Sequence, residues 1–259
     1  MARTKIDYGI DLGTTNSAIS RMENGDAIIK KTDIQADTMP SCFYVNKKKA
    51  IMIGQGAYNA LKRDKLSAMK NWEDDTNAFI EFKRTMGTDK KYPSSNLGKE
   101  LASEELSAEV LKALKSFIKD ENINAVVITV PAAFKNNQID ATRRAAKLAG
   151  FEHTEVLQEP VAAAMAYGLD SKKKDGFWLV FDFGGGTFDA ALLKVEDGIM
   201  KVADTEGDNY LGGKNLDLAI VDEIILPYIE NKYTITSILA DDNKKQILRN
   251  AMKFYAEEA

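Results

Sequence analysis

Phe181-Asp182-Phe183-Gly184-Gly185-Gly186-Thr187-Phe188-Asp189 is the stretch that decides how this chain folds. An apolar segment, Phe177-Trp178-Leu179-Val180, leads into it. A second, Ala190-Ala191-Leu192-Leu193-Lys194-Val195, leads out to the turn pair Asp197-Gly198. Short apolar runs bounded by such turns read as strands. Three successive glycines are unfavourable for folding, because glycine loses more backbone freedom than any other residue. Two readings of the stretch stand side by side. One is a flexible hairpin. The other is a loop whose bare N–H groups close around an anion, with Asp182 beside it to hold a metal ion.

The N-terminus repeats the pattern. Residues 6–12, Ile-Asp-Tyr-Gly-Ile-Asp-Leu, read as a strand and run into Gly13-Thr14-Thr15-Asn16-Ser17. A returning strand over 18–22 reaches Asn24-Gly25, a strong hairpin signal, and a third strand follows at Ala27-Ile28-Ile29. Asp11 therefore answers to Asp182 and Gly13 to Gly184. The distance is too long for a solenoid repeat. It predicts two related lobes, each opening with a three-stranded meander, with one loop from each facing a shared cleft. An aspartate beside a glycine is common in ordinary turns; it is the repeat that singles out Asp11 and Asp182.

Composition narrows the function. The chain has 259 residues, 44% hydrophobic and 29% charged, which suits a globular protein of one large or two moderate domains. A formal net charge of -4 argues against a nucleic-acid binder. The lysine runs Lys47-Lys48-Lys49 and Lys172-Lys173-Lys174 lie in polar stretches and read as solvated loops. One cysteine, Cys42, forbids an internal disulfide, and one histidine, His153, excludes a histidine-rich metal site. With no leader-like start before Ile6 and no apolar run of membrane length, a cytoplasmic protein without membrane contact is expected.

Between the meanders, short strands are expected over 31–53, a mostly helical stretch from Gly54 to Met86, and a loop over 87–102. Ser103 or Ser107 could cap a helix carrying Val110, Leu111, Leu114, Phe117 and Ile118. Ala125-Val126-Val127-Ile128-Thr129-Val130 is a nearly continuous apolar run of the kind found in central parallel strands. A helix over 137–149, a short strand near Glu155–Leu157, and a helix opened by Glu159-Pro160 follow. The polar stretch Ser171–Gly176 marks the lobe boundary. Beyond the second meander, Gly207–Gly213 reads as a loop, and the helical segment after it should be kinked or split at Pro227. The final helical pattern, 242–259, has no terminating signal.

Five segments in this order resemble the nucleotide-binding domain of the Hsp70 chaperones, within the actin, sugar-kinase and Hsp70 ATPase superfamily. They are Gly9–Ser17, Val130-Pro131-Ala132-Ala133-Phe134, Glu159–Gly168, Asp182–Asp189 and Gly207-Asp208 with Leu211-Gly212-Gly213. The resemblance implies an α/β, actin-like ATPase fold (ribonuclease H-like), with a complete first lobe over 1–171 and a partial, truncated second lobe over 172–259. It implies an ATP-binding and ATP-hydrolysing chaperone domain acting in protein folding and the stress response, with ATP or ADP, magnesium and a potassium ion as cofactors. Unfolded polypeptides, J-domain proteins and nucleotide-exchange co-chaperones are the implied partners of the intact protein. Gly13, Thr14, Thr15, Asn16, Gly185, Gly186 and Thr187 are expected at the phosphates, and Gly212-Gly213 under the sugar. Asp11, Asp182 and Asp189 are expected at the metal, directly or through waters. Lys83 is implied as the stabiliser of charge on the phosphate under attack, and Glu159 as the residue that positions the attacking water.

Some residues depart from the family's pattern. Lys214 stands where an acidic residue is usual, Ile139 where an arginine is common, and Ala133 where an aromatic is common. A fragment lacking later adenosine-binding elements is expected to bind nucleotide weakly. Two other functions fit the superfamily. One is a sugar or small-molecule kinase, which would need an acceptor-side aspartate that residues 130–134 do not offer. The other is a non-enzymatic actin-like scaffold.

Overall fold

The protein is described by a computed structural model covering residues 6–167, 175–208 and 210–259. Strands β1 (Tyr8–Asp11), β2 (Asn16–Glu23) and β3 (Asp26–Ile29) form the first expected meander. Asn24 and Gly25 both have positive φ, 53° and 98°, as a two-residue turn matching the twist of its strands requires. Short strands β4 (Met39–Pro40), β5 (Phe43–Val45) and β6 (Ile51–Ile53) follow, and then helix α1 (Gln55–Ala68).

The next stretch differs from expectation. Only α1 is helical between Gly54 and Met86. Phe79 lies in strand β7 (Ala78–Phe79), and Phe82 and Lys83 lie in a 3₁₀ turn, Phe82–Thr85. Phe79 and Phe82 do face the core, as the apolar pattern required, but from two short elements instead of one helix. Residues 87–102 are not simply a loop either. They contain a hairpin of β8 (Lys91–Ser94) and β9 (Lys99–Ala102), whose alternating exposure is masked in the sequence by Pro93 and the polar turn.

Helix α2 (Ser103–Lys115) is capped differently from either expectation: Ala102 is the cap position, and the Glu105 side chain accepts from its N–H at 2.8 Å. Ser103 instead donates to the Thr85 carbonyl. Strand β10 (Ala125–Val130), helix α3 (Asn136–Leu148), strand β11 (His153–Gln158) and helix α4 (Glu159–Ala166) complete the first lobe. The principal sheet runs β11-β10-β1-β2-β3, with β10 parallel to both its neighbours and β4 added on β2. Buried Ile10, Ile19, Val126 and Ile128 meet Leu106, Val110, Leu111 and Leu114 of α2 in one core. At about 25 cal/mol per Å² of apolar surface removed from water, this cluster is the main support of the lobe.

The second lobe opens with β12 (Gly176–Phe183), β13 (Phe188–Glu196) and β14 (Ile199–Asp208), an antiparallel sheet of the same order. Its turn repeats the first, with Asp197 and Gly198 at φ 51° and 74°. Gly207 and Asp208, expected in a loop, end β14, and Gly176, expected in the polar break, opens β12. Helix α5 (Gly213–Ile220) continues through a π turn, Val221–Ile225, into α6 (Leu226–Lys232). The expected interruption at Pro227 takes this form, since a proline cannot donate to the preceding turn. Helix α7 (Thr236–Leu239) and helix α8 (Asp242–Ala256) follow, the latter capped by Asp241, whose carboxylate accepts from the Lys244 N–H at 3.0 Å. The lobe boundary expected at 171 and 172, the helix stop at Gly168, the run Lys172-Lys173-Lys174 and Asn209 lie outside the described residues.

Helix α8 returns to the first lobe. Phe254 is buried against Cys42, Ala57, Leu61 and Ala78, and its ring meets Tyr58 edge-on with centroids 5.7 Å apart. Tyr58 hydrogen-bonds Glu257, and Lys62 pairs with Glu258. The two lobes therefore close over the space between their loops.

Candidate functional site

The first loop is built by buried hydroxyls. Ser17 accepts from the Gly13 N–H at 3.1 Å, Ser41 donates to the Gly13 carbonyl at 2.8 Å, and the two serines bond each other at 2.8 Å. The Ser41 N–H takes the Thr15 carbonyl at 2.7 Å. A side chain at Gly13 would collide with the Asn16 backbone, so only glycine allows this tight turn.

The second loop is tied in the same sense. The Gly184 carbonyl accepts from Gly213 at 3.0 Å, the Gly185 carbonyl from Lys214 at 2.9 Å, and the Gly186 carbonyl from the Arg84 guanidinium. Gly212 packs so closely beneath the loop that a Cβ there would fall on the Gly184 and Gly186 backbone. One asymmetry results in both lobes. The carbonyls of Gly13, Thr15, Gly184, Gly185 and Gly186 are engaged, whereas among the described residues the N–H groups of Thr14, Thr15, Gly185 and Gly186 donate to no protein acceptor. The Gly13 N–H, by contrast, donates to Ser17.

The loops meet. A Cβ at Gly185 would overlap the Thr15 side chain, and a cavity of about 240 Å³ beside them is lined by Thr14, Thr15, Asn16, Gly185 and Gly213. Its other walls include Lys214, noted for its departure from the family pattern, and residues the sequence did not suggest, among them Tyr58, Glu81, Asp217 and Lys253. These come from α1, the residue before the 3₁₀ turn, α5 and α8, and no local pattern links them.

A charged cluster adjoins the loops. Lys83, 7% exposed at its side chain, donates to Glu159 at 2.6 Å and lies 5.9 Å from the Phe134 ring centroid. Pro131–Phe134 thus supplies an apolar wall, and α4 supplies Glu159 from its first turn. Asp11, at the end of β1, accepts from Thr129 at 2.8 Å. Asp182 and Asp189 stand directly opposite each other across β12 and β13, where like charges are destabilising. The equivalent pair in the first lobe is Asp11 and Ala18, in the same register, so the second carboxylate belongs to the second lobe alone.

Electrostatics link the members of the cluster. Burial raises the Glu159 pKa; the Lys83 ammonium opposes that rise, and Asp11 and Asp182 add to it. Burial and Asp11 raise Asp182, and burial and Asp182 raise Asp189. Among the described residues no three His, Cys, Asp or Glu side chains converge closely enough to ligate one ion directly. An ion that keeps most of its water needs only one or two protein carboxylates. Lys83, Glu159, Asp11, Asp182 and Asp189 form one electrostatically coupled group, and Thr14, Thr15, Asn16, Gly185 and Gly213 share the adjoining cavity. Gly186, Thr187 and Gly212 shape the second loop.

Two lobes opening with equivalent meanders and presenting glycine loops to one cleft define an α/β protein with the actin-like ATPase fold. The chain belongs to the Hsp70 family: a family model described as Hsp70 protein matches residues 7–257. It is 37% identical over 258 residues to the chaperone protein DnaK of Mycoplasmopsis pulmonis (strain UAB CTIP), covering 98% of this chain and 40% of that protein. It is 38% identical over 248 residues to the chaperone protein DnaK of Mycoplasmoides gallisepticum (strain R(low / passage 15 / clone 2)), covering 94% and 40%. The chain thus spans 40% of the length of these curated relatives. Among the described residues no helix is long and apolar enough to cross a membrane.

Proposed function

We propose that the chain is the nucleotide-driven part of a chaperone, which in the full-length protein binds ATP between these two loops and hydrolyses it to ADP and phosphate. The observation that carries this reading is the shared asymmetry of the loops, with carbonyls tied back and N–H groups left to donate. Such a nest suits an anion with several oxygens. Thr14, Thr15, Asn16, Gly185, Gly186 and Thr187 would hold the phosphates, and Gly212-Gly213 would lie beneath the sugar.

Transfer of a phosphoryl group to water asks chiefly for positioning and charge neutralisation. Lys83 brings a shielded positive charge to the cleft, where it is worth more than in water. Glu159 would orient the attacking water, and its raised proton affinity brings it nearer the operating pH of a general base. Asp11, Asp182 and Asp189 fit a magnesium ion, whose charge would offset that of the phosphate oxygens. Opposed carboxylates at Asp182 and Asp189 suit that assignment, since a cation relieves their repulsion. A potassium ion is a further candidate at the same phosphates.

From the likeness to the two DnaK proteins we infer a cytoplasmic role on unfolded polypeptides, with J-domain and nucleotide-exchange proteins as partners. We also place the lobe boundary at 171 and 172. Single-turnover ATP hydrolysis tests the site. Lys83→Ala and Glu159→Ala are each expected to slow it by about 10²-fold or more, with circular dichroism unchanged. If both variants match the parent rate, the assignment fails.

A further inference from the structure

Lys83 and Arg84 are neighbours on one 3₁₀ turn but serve opposite lobes. Lys83 turns inward to Glu159, while Arg84 reaches across the cleft to the Gly186 carbonyl of the second loop. The same guanidinium bonds Glu81 at 2.8 Å and lies 5.5 Å from the Tyr210 ring centroid. Glu81 is doubly engaged, because its other carboxylate oxygen meets Lys214 of α5 at 2.7 Å. The order across the cleft is therefore Lys214, Glu81, Arg84, Gly186, leaving and re-entering the second lobe through two residues of the first.

Two details indicate that this bridge is specific, and a third is its cost. Glu81 holds a left-handed backbone, φ 59°, which is uncommon for a side chain of its kind and is kept only where surroundings impose it. Arg84 is 11% exposed at its side chain, so its charge pair is shielded from the screening that weakens surface salt bridges. Its Nε is buried without an acceptor among the described residues, so the closed arrangement leaves one donor unsatisfied. Lys214 is also the residue that departs from the acidic family pattern, and Glu81 is the partner that makes a lysine suitable there.

We propose that Glu81, Arg84 and Lys214 form an interlobe clamp that positions the Gly184–Thr187 loop against the first lobe, with Arg84 as its positioning residue. The clamp rests on the reading of the cleft as a phosphate site. It shares its turn with Lys83, so closing the second loop and placing Lys83 become one event. Hydrogen-bonding the Gly186 carbonyl fixes the orientation of the loop, and thereby the direction in which the Gly185 and Gly186 N–H groups point.

The test uses the whole chain carrying Cys42→Ser, with spin labels on cysteines introduced at exposed Lys48 and Lys201. Without nucleotide, Arg84→Ala and Lys214→Met are each expected to broaden and lengthen the interlobe distance distribution. Arg84→Lys, which keeps the charge and loses the forked geometry, should broaden it less. Distributions matching the parent in Arg84→Ala and Lys214→Met overturn the clamp, whether or not the chain hydrolyses ATP. A second readout is the dissociation constant for ATP measured by calorimetry. A rise of about fivefold or more in Arg84→Ala supports positioning of the loop, and an unchanged value overturns it.

Discussion

Asp189, proposed above as a metal-site residue, is placed where burial and a facing carboxylate cost stability. It is 7% exposed, faces Asp182 across the sheet and has no counterpart in the first lobe, where Ala18 occupies its register. Asp182 and Asp189 both hold protons more tightly in the folded chain than when unfolded. Between the ordinary carboxylate range, near pH ~3.9, and their raised values, the folded state therefore binds more protons. Their contribution to stability falls as pH rises through that window. Asp189→Asn is accordingly expected to raise Tm at pH 7 in the absence of magnesium, with the gain shrinking as pH falls toward 4. The same variant should lose any stabilisation that magnesium with ADP gives the parent. A lower Tm at neutral pH would contradict the account. Glu159 has a raised pKa for a related reason, so the acid limb of the hydrolysis profile should lie above the ordinary glutamate range and vanish in Glu159→Gln.

Among the elements, what the sequence made legible was whatever repeats or alternates locally. The two meanders, their turns, the buried parallel strand β10 and the helix starting at Glu159 all follow from apolar spacing and turn residues. The two glycine loops were legible because Asp11 and Asp182 recur in the same setting. The β8–β9 hairpin and the 3₁₀ turn under Lys83 were not, since four-residue elements have too few positions to show a period. Tyr58, Glu81 and Lys253 at the cavity, and Arg84 at the Gly186 carbonyl, were missed because distant segments bring them together. The packing of Gly212 under the second loop is likewise tertiary, and its backbone is extended, so its need for glycine lies in space and not in φ. Gly212→Ala is expected to cost about 1–3 kcal/mol in chemical denaturation, the usual penalty for overpacking. Gly98→Ala, where no atom lies within 4 Å of a new Cβ, meets only the strain of its φ of 68° and should cost less.

For the molecule as a whole, the docking of α8 on α1 is the contact that holds the two lobes together on this side of the cleft. Phe254 is the apolar anchor of that contact, and Tyr58, Lys62, Glu257 and Glu258 surround it with polar pairs that are individually weak. Beneath the anchor sits Cys42, fully buried, with burial alone pushing its thiol up to about 12. In the closed molecule that sulfur is both hidden and protonated, and so chemically silent. Were α8 to lift away, the thiol would meet water and regain its ordinary acidity. Alkylation of Cys42 by iodoacetamide therefore counts opening events, in the way that amide exchange counts local unfolding. Phe254→Ala, a truncation of the kind that costs about 3–5 kcal/mol, should speed the alkylation at least tenfold, and saturating ATP should slow it in the parent. The one cysteine of this chain is a clock for the opening of its cleft.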